Sequence, residues 1–461
     1  MKLCFTLLSV GCWLSVVLAQ WEPDRRLTLD SSASRIWANN GWFLVAIPGG
    51  LQAVWWDARD GHPEVYGARS TDSGEAWEPD RNLSPGPEST FCPSLAVSDS
   101  DIHLVYKDRR GGWGAFYRRS TDAGATWSGD TALVRFDSPT GGCMTDAAWG
   151  RTVHVLWAVF HGAFSQVSHC RSLDRGVSWD PEVLISHDTF RSEDPSVAVS
   201  ESIVHVVWFD TRNGPGDAYY ERSLDNGTTW GPETRLTPDS AIVYAPTVAA
   251  LDSFVHVAWI DRRSGSYHFQ IYYKRSTDAG TTWSPETRLC DNSGAAMFPV
   301  LAASGRNVHV AWYDNRTGRN QLYYRVSTDC GSTWQAETTL TESPGNAGNP
   351  AIAVADTAIH LIWTDDRDGH YETYYKRNLT GNVGVEDIPK PQAPSLTPAA
   401  TIVRKILFQP PSVVSPLSSL LSIDGRKVMA LRPGTNDVTR LAPGVYFVRL
   451  ASSVDKVIVT K

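Results

Sequence analysis

The chain has no basic run of the kind that neutralises phosphates. Its 42 Lys and Arg are outnumbered by 50 Asp and Glu, leaving a net charge of −8, so nucleic acid is not an expected partner. Past the first twenty residues no apolar run is long enough to span a bilayer, which excludes a transmembrane helix in the mature chain. No Cys or His residues stand at zinc-ligand spacing, and neither a metal nor a cofactor is expected. Beyond the first 19 residues the cysteines are Cys92, Cys143, Cys170, Cys290 and Cys330, an odd number. Their spacing allows one or two disulfides without showing which. What the chain does have is 36 Gly, 27 Pro and 19 Trp. That composition implies many turns and many short strands.

The first residues read as an export signal. Lys2 supplies the positive start, Leu3 to Leu18 is almost wholly apolar, and Val17-Leu18-Ala19 offers small residues for cleavage before Gln20. Lipidation at Cys12 is the weaker alternative, because Ser9-Val10-Gly11 is a poor lead-in and the apolar run continues past it. Residues 1–19 are therefore expected to be removed, and the protein to be secreted or held at the cell surface.

A period then governs most of the chain. His103, His154, His205, His256, His309 and His360 recur at steps of 51 or 53 residues, with Gln52 in the same place in a first copy. That makes seven copies. Each His lies in a run such as Val204-His205-Val206-Val207-Trp208, whose alternation and β-branching predict a strand. One His per copy lacks the local ligand pairs of a metal site, so a repeated strand position is the better reading. Four strands are legible per copy: a Pro-led run such as Pro195 to Val199, the His run, a third run such as Ile271 to Arg275, and a fourth beginning at Trp283. About 50 residues for four strands is the size of one propeller blade.

The turn between the third and fourth strands reads Ser70-Thr71-Asp72-Ser73-Gly74-Glu75-Ala76-Trp77 in copy one and recurs in copies two to six. Asp can bond backbone N–H groups there, Gly can take positive φ, and Trp supplies a large apolar anchor. This Ser-x-Asp-x-Gly-x-x-Trp pattern resembles the Asp-box, or BNR repeat, of sialidase-like propellers. The resemblance implies an all-β β-propeller, made seven-bladed here by the seven copies where the sialidase ring has six, in which Asp72, Asp122, Asp174, Asp225, Asp278 and Asp329 are structural and stand away from the site.

Copy seven lacks the box and its fourth strand. Trp21-Glu22-Pro23-Asp24-Arg25-Arg26-Leu27-Thr28 matches the fourth-strand segments of other copies, so the N-terminus is expected to supply the outer strand of the last blade. The expected organisation is a signal at 1–19, the propeller at 20–384, a Pro-rich linker at 385–400 and a final domain at 401–461. The tail, with Gly425-Arg426-Lys427-Val428 and Leu441-Ala442-Pro443-Gly444-Val445-Tyr446-Phe447-Val448-Arg449, resembles the Ig-like sorting domain of the bacterial type IX secretion system. That resemblance implies the secretion machinery as a partner; a small adhesive sandwich is the plainer alternative.

Chemistry is sought where copies differ. Asp-x-Arg recurs in six second-to-third turns, from Asp57/Arg59 to Asp365/Arg367. That uniformity suits an ion-pair ring linking neighbouring blades better than catalysis. Copy three has Val159, Phe160 and His161 there instead. The turns leading into the first strands also differ: Arg35-Ile36-Trp37, Phe91-Cys92, Glu193-Asp194, Tyr244-Ala245 and Met297-Phe298. The candidate ligand face is therefore Arg35, Trp37, His161, Glu193, Asp194 and Tyr244. The sialidase resemblance implies a substrate-carboxylate Arg, here Arg35, and a Tyr–Glu pair with an Asp acid, castable as Tyr244, Glu193 and Asp60. No motif places that set, so the catalytic residues stay unassigned. The expected function is glycan or surface-protein binding without catalysis, with exo-α-sialidase activity as the alternative.

Overall fold

A computed structural model describes residues 21–382 apart from 31, 37–41, 137–142, 162–163, 188–189, 239–241, 264, 266–267 and 291–293, together with seven strands between 401 and 459. The signal segment, Trp37 and the linker lie outside the described residues. The chain divides into two compact units, Met1–Val385 and Glu386–Lys461.

The first unit is a seven-bladed β-propeller, and no helix occurs among the described residues. Blade 4 is typical: Ser192–Ser200 innermost, then Ile203–Asp210, Asp217–Ser223 and the short outer Thr234–Arg235, all antiparallel. Blade 1 has five strands because two segments, Ser34–Arg35 and Leu44–Ile47, both pair with Gly50–Asp57. Blade 7 is closed by the N-terminus: Arg25 and Arg26 pair with Tyr375 and Tyr374. Joining first and last segments in one sheet leaves the ring without an open edge.

The second strands carry the core. Trp55, Trp157, Trp208, Trp259, Trp312 and Trp363 occupy one register position and are fully buried, with Tyr106 in blade 2. Truncating such a residue costs about 3–5 kcal/mol, so this ring of aromatics is a principal source of stability.

The recurring His explains how blades hold one another. In blade 4, His205 Nδ1 bonds the Tyr220 hydroxyl at 2.8 Å. Trp283, from the Asp-box of blade 5, stands edge-on to Tyr220 at 4.9 Å. Arg222 donates to the Ala279 carbonyl in that same box. Gly280, at φ +84, lies so close to Tyr220 that a Cβ would overlap its hydroxyl. The pattern repeats from blade 2 to 3, 5 to 6 and 7 to 1 through Tyr117–Trp179, Tyr273–Trp334 and Tyr375–Trp77. Thus Trp283 does not begin a strand, contrary to the sequence reading. It anchors its box on the preceding blade, and the outer strand starts four residues later at Thr287. Blade 7 has no box; Asn382 takes its place, accepting from Asn307 Nδ2 at 2.9 Å and bonding His309 Nε2 at 3.0 Å.

In the second unit, Ser419–Ser422 pairs with Lys427–Ala430 and Gly444–Arg449, Gly444–Arg449 pairs with Val454–Val459, and Thr401–Val403 runs parallel to Val454–Val459. Ile406–Gln409 pairs with Gly434–Asp437 in a separate ladder.

Candidate functional site

Two unlike faces follow from this strand order. On one, the Asp-boxes of blades 2 to 6 bond the first-to-second turn of their own blade, as where Asn226 N donates to the Ser202 carbonyl at 2.9 Å. Here the Asp side chains are consumed by their turns. Asp225 Oδ1 accepts from Ser223 Oγ at 2.7 Å and from Thr229 N at 2.8 Å, and Oδ2 accepts from Thr229 Oγ1 at 2.7 Å. Those bonds hold its pKa down at about 2. Asp72, Asp122, Asp174, Asp278 and Asp329 accept equivalent bonds.

The opposite face collects the Asp-x-Arg turns and the segments leading into each innermost strand. Among the described residues these Arg residues pair chiefly within their own blade, which corrects the sequence reading; Arg59 also reaches Asp30, in the segment between the outer strand of blade 7 and blade 1, at 2.6 Å. Arg263 bonds Asp261 at 2.6 Å and Glu286 at 2.7 Å, and lies 4.2 Å over the Tyr272 ring, all within blade 5. Arg212, Arg316 and Arg367 repeat this within blades 4, 6 and 7. The turn runs over six residues in blade 4, 211–216, and the guanidinium folds back along its own third strand to the acid preceding the fourth, Glu233. These Arg residues are neutralised where they stand.

The mouth of the central channel is built from a shared distortion. Cys92, Asp194, Ala245, Phe298 and Asn349 have φ between +45 and +52, and each precedes a proline. The innermost strand slips register at each of these points. Proline removes a ladder N–H and disfavours ordinary helical geometry before it, so the strand bulges. Left-handed backbone outside Gly costs about 1–2 kcal/mol per residue. The same conformation recurs on the opposite face, as at Glu201 and Asn226, so at the mouth it shapes the opening without marking a site by itself. The innermost strands begin before the prolines, at Ser192 in blade 4, rather than at them. Blade 3 has Met144 in place of Pro, and its Cys143 is disulfide-bonded to Cys92.

Arg35 differs from the repeated Arg residues. Its guanidinium lies 4.1 Å over the Tyr371 ring and 5.6 Å from the Trp56 ring. It forms no ion pair or hydrogen bond among the described residues, and its Nε is buried without a partner. Beside it is a pocket of about 200 Å³ lined by Tyr313, Asn320, Asn346, Asn349 and Tyr371. Thr364 and Asn349 fix the adjacent Ile36 backbone through bonds of 2.8 and 3.0 Å. A cation held by aromatic faces, with free donors and amide neighbours, can receive an anion.

The other candidates spread around the mouth. Glu193 accepts from Ser165 Oγ at 2.8 Å and pairs with Arg191. Asp194 is half-buried and accepts no hydrogen bond among the described residues; burial and neighbouring Glu193 push its pKa up to about 6. Tyr244 stacks on Phe209 at 5.6 Å with the rings 11° apart. No hydrogen bond joins Tyr244 to Glu193 among the described residues, and Asp60 is taken up by Tyr66 and Asn82 in blade 1. His161 ends the second strand of blade 3, opposite Phe164.

One residue escaped the sequence reading. Asp146 lines the 340 Å³ channel, where Leu44, Leu95, Val197, Val248, Leu301 and Ile352 hold the same register position. Ser94 Oγ donates to its Oδ1 at 2.6 Å, while Oδ2 is buried without a partner. Burial pushes its pKa up to about 8, so it is largely neutral at pH 7. Aligning Thr145-Asp146-Ala147-Ala148 with Ser94-Leu95-Ala96-Val97 would have exposed it. Among the described residues no group of three or more His, Cys, Asp or Glu is placed to hold a metal, and no helix is long and apolar enough to cross a membrane.

Comparison with known proteins agrees with this architecture. The xyloglucanase Xgh74A of Acetivibrio thermocellus is 27% identical over 253 residues, which is 47% of this chain and 28% of the relative. The chain thus spans well under a third of that relative's length. Among solved structures, polysaccharide lyase Uly1 superposes with a TM-score of 0.54 at 11% identity, over 78% of this chain and 99% of that one. The endosialidase of phage phi92 gives 0.48 at 12% identity, over 94% and 78%. Residues 163–361 match the BNR repeat-like domain. The chain therefore carries a BNR repeat-like domain within a seven-bladed β-propeller.

Proposed function

We propose that this is an exported glycan-binding propeller whose ligand face is the channel mouth opposite the Asp-boxes, and that it holds an acidic polysaccharide there without cleaving it. The observation that carries this reading is Arg35. Each of the Asp-x-Arg guanidiniums sits on a carboxylate of its own blade, whereas Arg35 is stacked between rings with its donors unused among the described residues. A carboxylate or sulfate on a sugar would complete it, contributing about 1.5–3 kcal/mol for a hydrogen bond to a charged group. The surrounding half-buried aromatics, Trp56, Tyr313 and Tyr371, offer flat apolar surface for sugar rings. The Asp-boxes act in this account as the joints between blades.

Catalysis is not part of it, because the nucleophile pair that an exo-sialidase requires is unmade. Tyr244 is stacked on Phe209, and Glu193 is engaged by Ser165 and Arg191. Xyloglucanase and polysaccharide lyase, the names carried by similar proteins, are consistent with a polysaccharide as the ligand class. Export follows from the signal at residues 1–19, and residues 401–461, as an Ig-like sandwich, serve sorting by the secretion machinery.

The test is a glycan array of uronate, sialylated, sulfated and neutral oligosaccharides, run beside a fluorogenic sialoside assay. Binding of acidic glycans without hydrolysis is the expected result. Turnover of the sialoside would establish the exo-sialidase alternative instead.

A further inference from the structure

Blade 3 departs from its neighbours on the ligand face. Its second and third strands run on to Thr152–His161 and Phe164–Ser172 in place of the Asp-x-Arg turn. Phe160 and Phe164 are left 40% and 44% exposed, and Phe190, in the segment leading into blade 4, is 44% exposed. Phe160 pairs with Ser165 and shares its side of the sheet, while Phe164 lies on the other; large apolar side chains left exposed need a reason.

The two segments are fastened to each other. Ser165 Oγ donates to Glu193 Oε1 at 2.8 Å, and Gln166 Nε2 donates to the Phe190 carbonyl at 2.9 Å. Arg191, itself 5.6 Å over the Phe209 ring, holds the other Glu193 oxygen. Glu193 is thus fully engaged. Asp194, the next residue, is fixed in left-handed backbone before Pro195, yet its carboxyl accepts no hydrogen bond among the described residues. The corner therefore presents phenyl rings and an acceptor with two unused oxygens, on a preformed frame.

We propose that this corner is a subsite for a neutral sugar unit, in which the Asp194 carboxylate accepts hydrogen bonds from two adjacent hydroxyls while Phe160 and Phe190 cover the C–H face of the ring. The inference rests on the reading of this mouth as a glycan-binding face, and deepens it by naming a second kind of sugar beside the acid held at Arg35. Charge decides the class: Arg191 is committed to Glu193, so among the described residues Asp194 is left as the carboxylate of this corner without an ion pair, and it repels an anionic sugar. A wholly apolar partner would strip water from Asp194 and return no hydrogen bond, which is unfavourable. A sugar supplies both the apolar face and the donors.

The subsite has a pH signature. Burial and the Glu193 charge hold the Asp194 carboxyl near a pKa of 6, against the pull of Arg191. The carboxylate form prevails above that value, and protonation below it removes acceptor capacity. Binding through this subsite should therefore weaken as pH falls from 7 to 5.

The experiment uses the full chain on an array of neutral, amino and acidic oligosaccharides at pH 5, 6, 7 and 8, with Asp194→Asn and Phe190→Ala as variants. Thermal melts check that both variants fold. Glycans containing a neutral unit with adjacent hydroxyls should lose about tenfold or more on Asp194→Asn, lose affinity on Phe190→Ala, and be held more weakly by wild-type protein at pH 5. Unchanged binding in both variants, with acidic glycans still retained, would overturn this subsite alone. A preference for amino sugars would overturn its assignment to neutral ones. Failure of every glycan to bind would overturn the reading of the face as well.

Discussion

Replacing Gly280 by Ala tests the joint between blades most sharply. The residue sits at φ +84, and an added Cβ would overlap the Tyr220 hydroxyl, which is itself bonded to His205. Gly318, at φ +88, has nothing within 4 Å of the same added atom. Both substitutions bear the cost of a left-handed alanine, about 1–2 kcal/mol, partly offset by a stiffer unfolded chain. Gly280→Ala adds overpacking of about 1–3 kcal/mol and disturbance of a buried hydrogen bond worth about 1 kcal/mol. We expect about 3–5 kcal/mol for Gly280→Ala against about 1 for Gly318→Ala. At roughly 2 °C per kcal/mol for a domain of this size, the melting points should separate by about 4–8 °C. Tyr220→Phe in the Gly280→Ala background should recover part of the loss, because it removes the oxygen that the methyl meets. Equal melting of the two single variants would refute the inter-blade joint as described.

Three further outcomes are expected. Deleting residues 20–30 removes the Arg25–Arg26 strand and the Trp21–Tyr324 contact, so the truncated protein should aggregate, and light scattering would show it; a soluble, equally heat-resistant product would speak against closure by the N-terminus. Burial holds His205 neutral, at a pKa near 3 against its ordinary 6.5. Unfolding then takes up a proton, and stability is lost as pH falls below 6.5 toward 3. His205→Gln, copying Gln52 of blade 1, should flatten this slope by about 1.4 kcal/mol per pH unit, measurable by urea denaturation between pH 4 and 7; an unchanged slope would refute the neutral His. Removing residues 401–461 should leave the propeller folded but retained in the cell envelope, and normal release of that protein would end the sorting role.

Much of the fold was legible because the repeat is written in residues with strong local consequences. The His strand, the Ser-x-Asp-x-Gly-x-x-Trp turn and the match of Trp21–Thr28 to other fourth-strand segments together imply seven blades and their closure. What the residues could not say was which partner each anchor takes. Trp283 reads as the start of a strand by propensity, whereas its partner Tyr220 belongs to another blade. Pro195 reads as a strand's first residue, whereas the strand begins at Ser192 and bulges around Asp194. A bulge breaks the two-residue period by which strands are read. Departure from the repeat singles out Arg35 and Asp194, the residues on which the proposed ligand face rests. Arg35 stands out from the paired arginines only in three dimensions, where no carboxylate of the described residues reaches it. Asp146 is invisible in the turns, because its oddity is a carboxyl inside an otherwise apolar strand position.

The most direct test of the central claim is hydrogen–deuterium exchange with and without a saturating acidic oligosaccharide from the array. Protection should appear at residues 34–36, 346–349 and 371 around Arg35, and should vanish in Arg35→Ala, whose affinity falls about ten- to a hundredfold. Protection confined to the Asp-box turns, such as 223–230 and 276–283, with Arg35→Ala binding as tightly as wild type, would contradict the assignment of the ligand face.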